Sequence, residues 1–398
     1  MTAAGRERIL VVGKPYLGDT VLALPVLRNL RAAFPNHAID VLVEGNSMGE
    51  FLAGCPHVDE VLAWERPPRP PRARGLGRRP WLGSLASVEA AAAALRPRRY
   101  ARAYLLKRSP SAAVLAIRAG IPHRVGHATV PGGPFLTRSV PWRTDRHHGE
   151  RLLDLLRADA LAVEAAEPRH WGVAPEAAAR VARLLDPLPA DRRRVLVAVR
   201  ATDWRRQWPL DRWVDAVRRL VTEHHCEIVF CGGPADARAV AAIIGSLGAA
   251  AAHAHDFSAA VPLGDVPALL ARMDLYLGVN SGLMHLAAAC GTPAVAVFDA
   301  GDAVTWRPRG DGHVILCGTT HRHVGRWLAG RAAEPVDPTW AAGEALRGVT
   351  VTDVVNRAAA QIAARPAALR LIDLRTGVQR YAVELRPAAP SVPVPVGG

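Results

Sequence analysis

The chain has 398 residues, 50% hydrophobic and 22% charged, enough for two globular domains with ordinary cores and too apolar for a disordered polymer. The formal net charge of +14 comes from arginine rather than lysine, and no DNA- or RNA-binding motif accompanies it, so basicity alone does not argue for a nucleic-acid partner. No apolar run nears the ~18 residues a spanning helix needs, and Ile9 to Val12 is too short for a signal-peptide core, so a cytoplasmic chain is expected. The five cysteines lack metal-ligand spacing and read as reduced core thiols.

In chain order, the pattern predicts a strand over Ile9 to Val12, a helix over Val21 to Ala33, a strand over Ile39 to Val43, a short helix near Met48 to Ala53 and a strand over Glu60 to Ala63. The Arg- and Pro-rich run Arg66 to Arg79 breaks all periodicity and reads as a loop. A helix over Ser87 to Leu95, a strand over Ala101 to Leu106, a helix over Ala112 to Ala119, a strand around Arg124 to Gly126 and a helix over His148 to Ala160 complete a first domain, residues 1–163. Residues 164–175, rich in Pro and charge, read as a linker.

A second alternating unit, residues 176–350, starts with a helix near Glu176 to Leu185 and a strand over Arg194 to Val199. It continues as helix Leu210 to His224, strand Glu227 to Cys231, helices Asp236 to Ile244 and Val266 to Arg272, strand Leu275 to Gly278, helix Leu283 to Cys290 and strand Ala294 to Phe298. Alternation of this kind requires parallel sheets with helices on both faces. A terminal helix over residues 351–365 and a 366–398 segment with a hairpin-like pair, Leu369 to Leu385, and a Pro-rich tail end the chain.

Two strand-to-helix turns carry the chemistry. In the first, Gly13 to Thr20 imitates a phosphate-binding P-loop, but Asp19 stands where the lysine should be and would repel phosphates. No G-x-G-x-x-G dinucleotide fingerprint is present. An acid in the first turn of a helix is stabilised as its anion by the helix dipole, and Asp19 serves equally well as a plain helix-start residue. In the second turn, Asn280-Ser281-Gly282-Leu283 precedes a helix, so its free backbone N–H groups suit an anionic ligand.

The stretches Leu17-Gly18-Asp19-Thr20-Val21-Leu22-Ala23-Leu24-Pro25 and Gly278-Val279-Asn280-Ser281-Gly282-Leu283-Met284-His285 resemble glycosyltransferase family 9, the lipopolysaccharide heptosyltransferases. Arg206-Gln207-Trp208-Pro209 and Cys231-Gly232-Gly233-Pro234-Ala235-Asp236 follow the same family order, and the likeness spans roughly residues 8 to 350. The resemblance implies a GT-B fold, two Rossmann-like domains facing across a cleft, with the 351–365 helix packing back on the N-terminal domain. It implies inverting, metal-independent transfer of a heptose from an ADP-linked donor to an anionic glycan or glycolipid, such as lipopolysaccharide inner core, without a cofactor.

Residue by residue, the resemblance makes Asp19 the general base and Arg206, in place of the family's lysine, the leaving-group cation. Thr202, Asp236, Asn280, Ser281, Gly282, Leu283 and His285 fall on the donor side. Asn280 departs from the family's usual aspartate, keeping shape but losing charge. Gly18, Arg72, Arg74, Lys107 and Arg108 are candidates for the acceptor side; the Arg-rich loop is equally readable as a solvated insertion, and Asp236 as a helix N-cap. The basic surface suits an acceptor at the inner face of the cytoplasmic membrane. Rival readings are a non-catalytic nucleotide-sugar-binding protein, and a family member acting on a secondary metabolite or another glycan.

Overall fold

The computed structural model describes residues 7–45, 47–65, 82–128, 133–203, 206–318, 346, 348–364 and 382–385. The Arg-rich loop with Arg72 and Arg74, most of the hairpin-like 369–385 stretch and the Pro-rich tail lie outside the described residues. The chain divides into two compact units, Met1–Ala178 with Pro262–Pro267, and Ala179–Val261 with Ala268–Gly398.

The first unit runs β1 (Arg8–Val12), α1 (Leu17–Ala33), β2 (Ala38–Glu44), α2 (Ser47–Leu52), β3 (Glu60–Trp64), α3 (Leu82–Leu95), β4 (Tyr100–Leu105), α4 (Pro110–Arg118), β5 (His123–His127), β6 (Arg138–Val140) and α5 (His148–Ala158). Its strands pair in parallel in the order β3-β2-β1-β4-β5-β6. A parallel sheet flanked by helices must be apolar on both faces, and Ile9, Leu10, Val11 and Val12 of β1 are at most 1% exposed. α1 packs along α5.

Helix α6 (Pro175–Leu185) leads into β7 (Arg193–Ala198), α7 (Leu210–His224), β8 (Cys226–Phe230), α8 (Ala237–Gly245), β9 (Ala254–Asp256), α9 (Val266–Leu270), β10 (Leu275–Val279), α10 (Gly282–Ala289), β11 (Ala294–Asp299), α11 (Ala300–Trp306), β12 (His313–Gly318), α12 (Val351–Ala364) and β13 (Ala382–Leu385). The second sheet, again parallel, has the order β13-β12-β11-β10-β7-β8-β9. Ala382–Leu385, the described part of the hairpin-like stretch, pairs in parallel with β12.

The expectation that the 351–365 helix returns to the N-terminal domain is corrected by its contacts. Val354, Val355, Ala358 and Ile362 of α12 are buried in the second unit's core with Val217, Leu220 and Val297, and the helix packs against α7 and β10 to β12. Polar contacts fix its start: Trp208 Nε1 and Arg212 Nη1 both donate to Val349 O, at 3.1 and 2.7 Å, and Thr350 caps the first turn by accepting from Asp353 N at 3.2 Å. An apolar face four residues deep finds its burial nearby, which decides where the helix docks.

The 164–175 stretch is more than a coreless linker. Buried Asn29 of α1 donates to Ala165 O at 2.6 Å and accepts from Glu164 N and Ala165 N at 2.9 and 3.2 Å, fastening the stretch to the first unit. His170 stacks on Trp171 with ring centres 4.1 Å apart, and both rings meet Phe51 of α2. No helix among the described residues is long and apolar enough to cross a membrane.

Candidate functional site

In an open parallel sheet, ligands collect beyond the carboxyl ends of the strands where the chain reverses its direction of sheet growth. That reversal lies between β1 and β4 in the first unit and between β7 and β10 in the second. The residues flagged by motif gather at both places.

In the first unit, β1 ends at Val12, and Gly13-Lys14-Pro15-Tyr16 turns the chain into α1, whose third residue is Asp19. Tyr16, the N-cap residue, gives no side-chain cap, so the first-turn N–H groups remain uncapped by side chains. Lys14 Nζ sits 2.5 Å from Asp19 Oδ1, and Nε2 of His148, the first residue of α5, lies 3.0 Å from the same oxygen. His148 is 1% exposed and the Asp19 side chain 13%, so this carboxylate is largely withdrawn from water. Burial pulls the Asp19 pKa up, but the hydrogen bond with His148 and the charge of Lys14 outweigh it and hold the group below an aspartate's ordinary value of about 3.8. His148 is pushed the other way, its burial outweighing the pull of Asp19, so it favours the neutral ring. A small cleft lined by Gly13, Lys14, Asp19, Thr20, Leu106 and His148 adjoins the carboxylate.

The acceptor-side candidates divide. Gly18 sits in the first turn of α1 beside Asp19. Lys107, just past β4, is engaged by the protein itself: its ammonium pairs with Glu44 and lies 5.8 Å from the Trp64 ring centre. Arg108 is exposed and stacks over Trp142, 5.0 Å from its ring centre, with Arg151 at 4.6 Å from the same ring.

In the second unit the turn after β10 is shaped by an aromatic residue that motif reading overlooked. Tyr276 is fully buried, and its hydroxyl hydrogen-bonds the Ser281 hydroxyl at 3.0 Å. The phenol passes under Gly278, where a Cβ would stand 2.4 Å from Tyr276 Oη and 2.9 Å from Ala198 O. Gly278→Ala is therefore expected to lower stability by about 1–3 kcal/mol, as overpacking does, measured by urea unfolding. A loss below about 0.5 kcal/mol would show that the ring moves aside freely.

Because Ser281 Oγ is engaged with Tyr276, Ser281 makes no side-chain cap on α10, and the N–H groups of Gly282, Leu283 and Met284 stay available to an anion. His285, one turn in, is 2% exposed, its ring 6.4 Å from that of Trp306. Thr202 lies exposed past the end of β7. Asp236 folds back on its own turn, accepting from Gly233 N at 2.7 Å and lying against Gly232. As the residue before α8 it gives that helix no side-chain cap, so the N-cap reading is not what its carboxylate does; burial pushes its pKa up, although Gly233 N–H and Arg200 oppose that.

Arg206 and Asn280 meet on a residue absent from the motif reading. Arg206 Nε lies 2.8 Å from Asp302 Oδ2, and Asn280 Nδ2 donates to the same oxygen at 3.0 Å. The Arg206 guanidinium also stands 5.9 Å from the Trp306 ring centre. Asn280, the departure from the family pattern, thus has a carboxylate as its neighbour. Burial raises the Asp302 pKa in spite of Arg206.

One signal in the sequence would have exposed part of this arrangement. Among 50 Lys and Arg residues the chain has just two lysines, Lys14 and Lys107, and both follow the strands that flank the first unit's reversal. Arginine replaces lysine almost everywhere else, so a position that keeps the compact ammonium stands out.

The family model for glycosyltransferase family 9 (heptosyltransferase) matches residues 88–325. The curated lipopolysaccharide heptosyltransferase 2 of Escherichia coli K12 is 25% identical over 315 residues, 73% of this chain and 82% of its own length. Among solved structures, E. coli ADP-heptose lps heptosyltransferase II is similar with a TM-score of 0.72 at 21% identity, covering 89% of this chain and 98% of that one. E. coli heptosyltransferase WaaC with ADP gives 0.62 at 18% identity, covering 89% and 99%.

Proposed function

Because the chain belongs to glycosyltransferase family 9, and is a glycosyltransferase with two Rossmann-like domains of GT-B type, we propose that it moves a heptose from an ADP-linked donor to a hydroxyl of an anionic glycan or glycolipid, such as a lipopolysaccharide inner core. The observation that carries the reading is the ionised, withdrawn Asp19 carboxylate held by Lys14 and His148 at the first unit's reversal point.

In the proposed reaction the acceptor hydroxyl attacks the anomeric carbon from the face opposite the diphosphate, inverting that centre, and Asp19 takes the hydroxyl proton. Charge builds on the departing ADP. Arg206 and the uncapped N–H groups of α10 are disposed to stabilise it, so no metal ion is called for. Arg108, exposed over Trp142, supplies cationic surface for an acceptor phosphate or carboxylate, with buried Arg151 on the same ring behind it. An acceptor of that kind places the reaction at the inner face of the cytoplasmic membrane.

Release of nucleoside diphosphate from ADP-, GDP- and UDP-sugars in the presence of heptose-deficient lipopolysaccharide tests the reading. ADP release from ADP-heptose that depends on the acceptor supports it; turnover confined to a GDP- or UDP-sugar, or release indifferent to acceptor, overturns it.

The base assignment carries a pH signature. A depressed Asp19 pKa puts the acidic fall of kcat/KM below the ordinary carboxylate range, because activity requires the anion and is lost only as pH drops through the folded-state value. Lys14→Met removes a charge that favours the anion, so the acidic limb is expected to move to higher pH. An unmoved limb would mean that the rate does not report on Asp19.

A further inference from the structure

The second unit contains one carboxylate and one amide that share a single hydrogen bond beside the donor-side arginine. Asp302 Oδ2 receives both Arg206 Nε at 2.8 Å and Asn280 Nδ2 at 3.0 Å, and these three residues come from three separate connections, after β7, β10 and β11. We propose that Asp302 is a positioning residue for the transfer: it anchors Arg206 through Nε so that the two Nη groups face the donor diphosphate, and it requires a neutral hydrogen-bond donor at position 280. The proposal rests on the donor-side role given to Arg206 above.

Three observations support it. The anchoring contact uses Nε, and among the described residues neither Nη group of Arg206 donates to a protein acceptor, which leaves the end of the guanidinium that best grips a phosphate uncommitted. The ring of Trp306, on the same helix as Asp302, lies 5.9 Å from the guanidinium and restricts it further. Finally, the side chains of Arg206 and Asp302 are 30% and 26% exposed, so the pair is partly screened from water and its orientation is worth more than that of a fully exposed pair.

The charge count explains the amide. Arg206 and Asp302 together are neutral, and Asn280 adds nothing. An aspartate at 280 would set a second carboxylate where the amide nitrogen now stands, at about hydrogen-bond distance from Asp302. Two anions would then flank one guanidinium and repel the incoming diphosphate, whereas exchanging the two residues would restore one carboxylate and one amide.

The test measures donor KM, kcat and the thermal unfolding midpoint for the full chain and for Arg206→Ala, Asp302→Ala, Asp302→Asn, Asn280→Asp and the exchanged pair Asn280→Asp with Asp302→Asn. Asp302→Ala and Asn280→Asp are each expected to lower kcat/KM about tenfold or more, mainly through donor KM, with the midpoint little changed. Asp302→Asn keeps an oxygen for Arg206 Nε and should lose only a few-fold, and the exchanged pair should recover most of what Asn280→Asp loses. The proposal is overturned if Asp302→Ala stays within about twofold of the unaltered chain, or if the exchanged pair is no better than Asn280→Asp. If Arg206→Ala itself turns over normally, the donor-side role of Arg206 falls and the proposal falls with it. Loss in Arg206→Ala without loss in the Asp302 variants rejects the positioning role alone. Should Asp302→Ala unfold, Asp302→Asn and the exchanged pair still decide the matter, because both conserve shape.

Discussion

Asp19→Asn is expected to lower kcat for sugar transfer by about 10²- to 10⁴-fold, the span usual for removal of a general base. Asparagine has the same shape, and its oxygen still accepts from Lys14 Nζ, which now stands 2.5 Å from Oδ1. It cannot take a proton. The loss therefore isolates proton abstraction from positioning, which makes the substitution more informative than truncation to alanine. Asp19 belongs to the first unit and the turn after β10 to the second, so ADP affinity by calorimetry should change little while single-turnover transfer collapses. Transfer retained within about tenfold of the unaltered chain would remove Asp19 from the reaction.

Arg206→Ala is expected to lower kcat/KM by about 10²- to 10³-fold, comparable with the removal of one preorganised donor to a developing oxyanion. Part of the loss comes from what remains behind. Asp302, already pulled toward its neutral form by burial, loses its counter-charge and is left facing the donor diphosphate. Removing both side chains in Arg206→Ala with Asp302→Ala should therefore cost less than the sum of the separate losses. Arg206→Lys retains charge but gives up the fork that allows Nε to be anchored while the Nη groups reach outward, so partial activity is expected. Steady-state kinetics with varied donor checks these outcomes, and full additivity in the double substitution would show that the two groups act independently.

Much of the fold was legible because buried parallel strands are apolar on both faces. Ile9 to Val12, Arg194 to Val199, Leu275 to Gly278 and Ala294 to Phe298 stand out as such runs, and each coincides with a strand to within a residue at either end. Strands β6, with Arg138 and Ser139, and β9, with His255 and Asp256, lie at or near sheet edges, where pairing with a neighbour rather than composition holds them extended. β12 escaped for a different reason: Val314 to Cys317 is apolar, but it follows a Gly- and Arg-rich stretch that carries turn signals. The docking of α12 was legible only as an amphipathic face; the identity of the surface that covers it is a property of the folded sheet.

The site divides along the same line. Asp19, Arg206 and the Asn280 to Leu283 turn were readable because each sits in a local strand-to-helix pattern. Their partners were not. His148 reaches Asp19 from the start of α5, and Asp302 reaches Asn280 from across β11, separations that sheet order alone closes. Tyr276 was hidden among strand residues, since an aromatic at that place is ordinarily core.

The scarcity of lysine gives the protein an unusual chemical handle. Reagents that acylate primary amines normally scatter label over a surface, but here only Lys14 and Lys107 offer a side-chain amine, each of them within an ion pair. Their acylation would erase a positive charge next to Asp19 in one case and Glu44 in the other. Ordinary bioconjugation chemistry thus becomes a site-directed reporter for this chain, and protection of these amines by a bound sugar acceptor could be read by peptide mass mapping without introducing a single substitution.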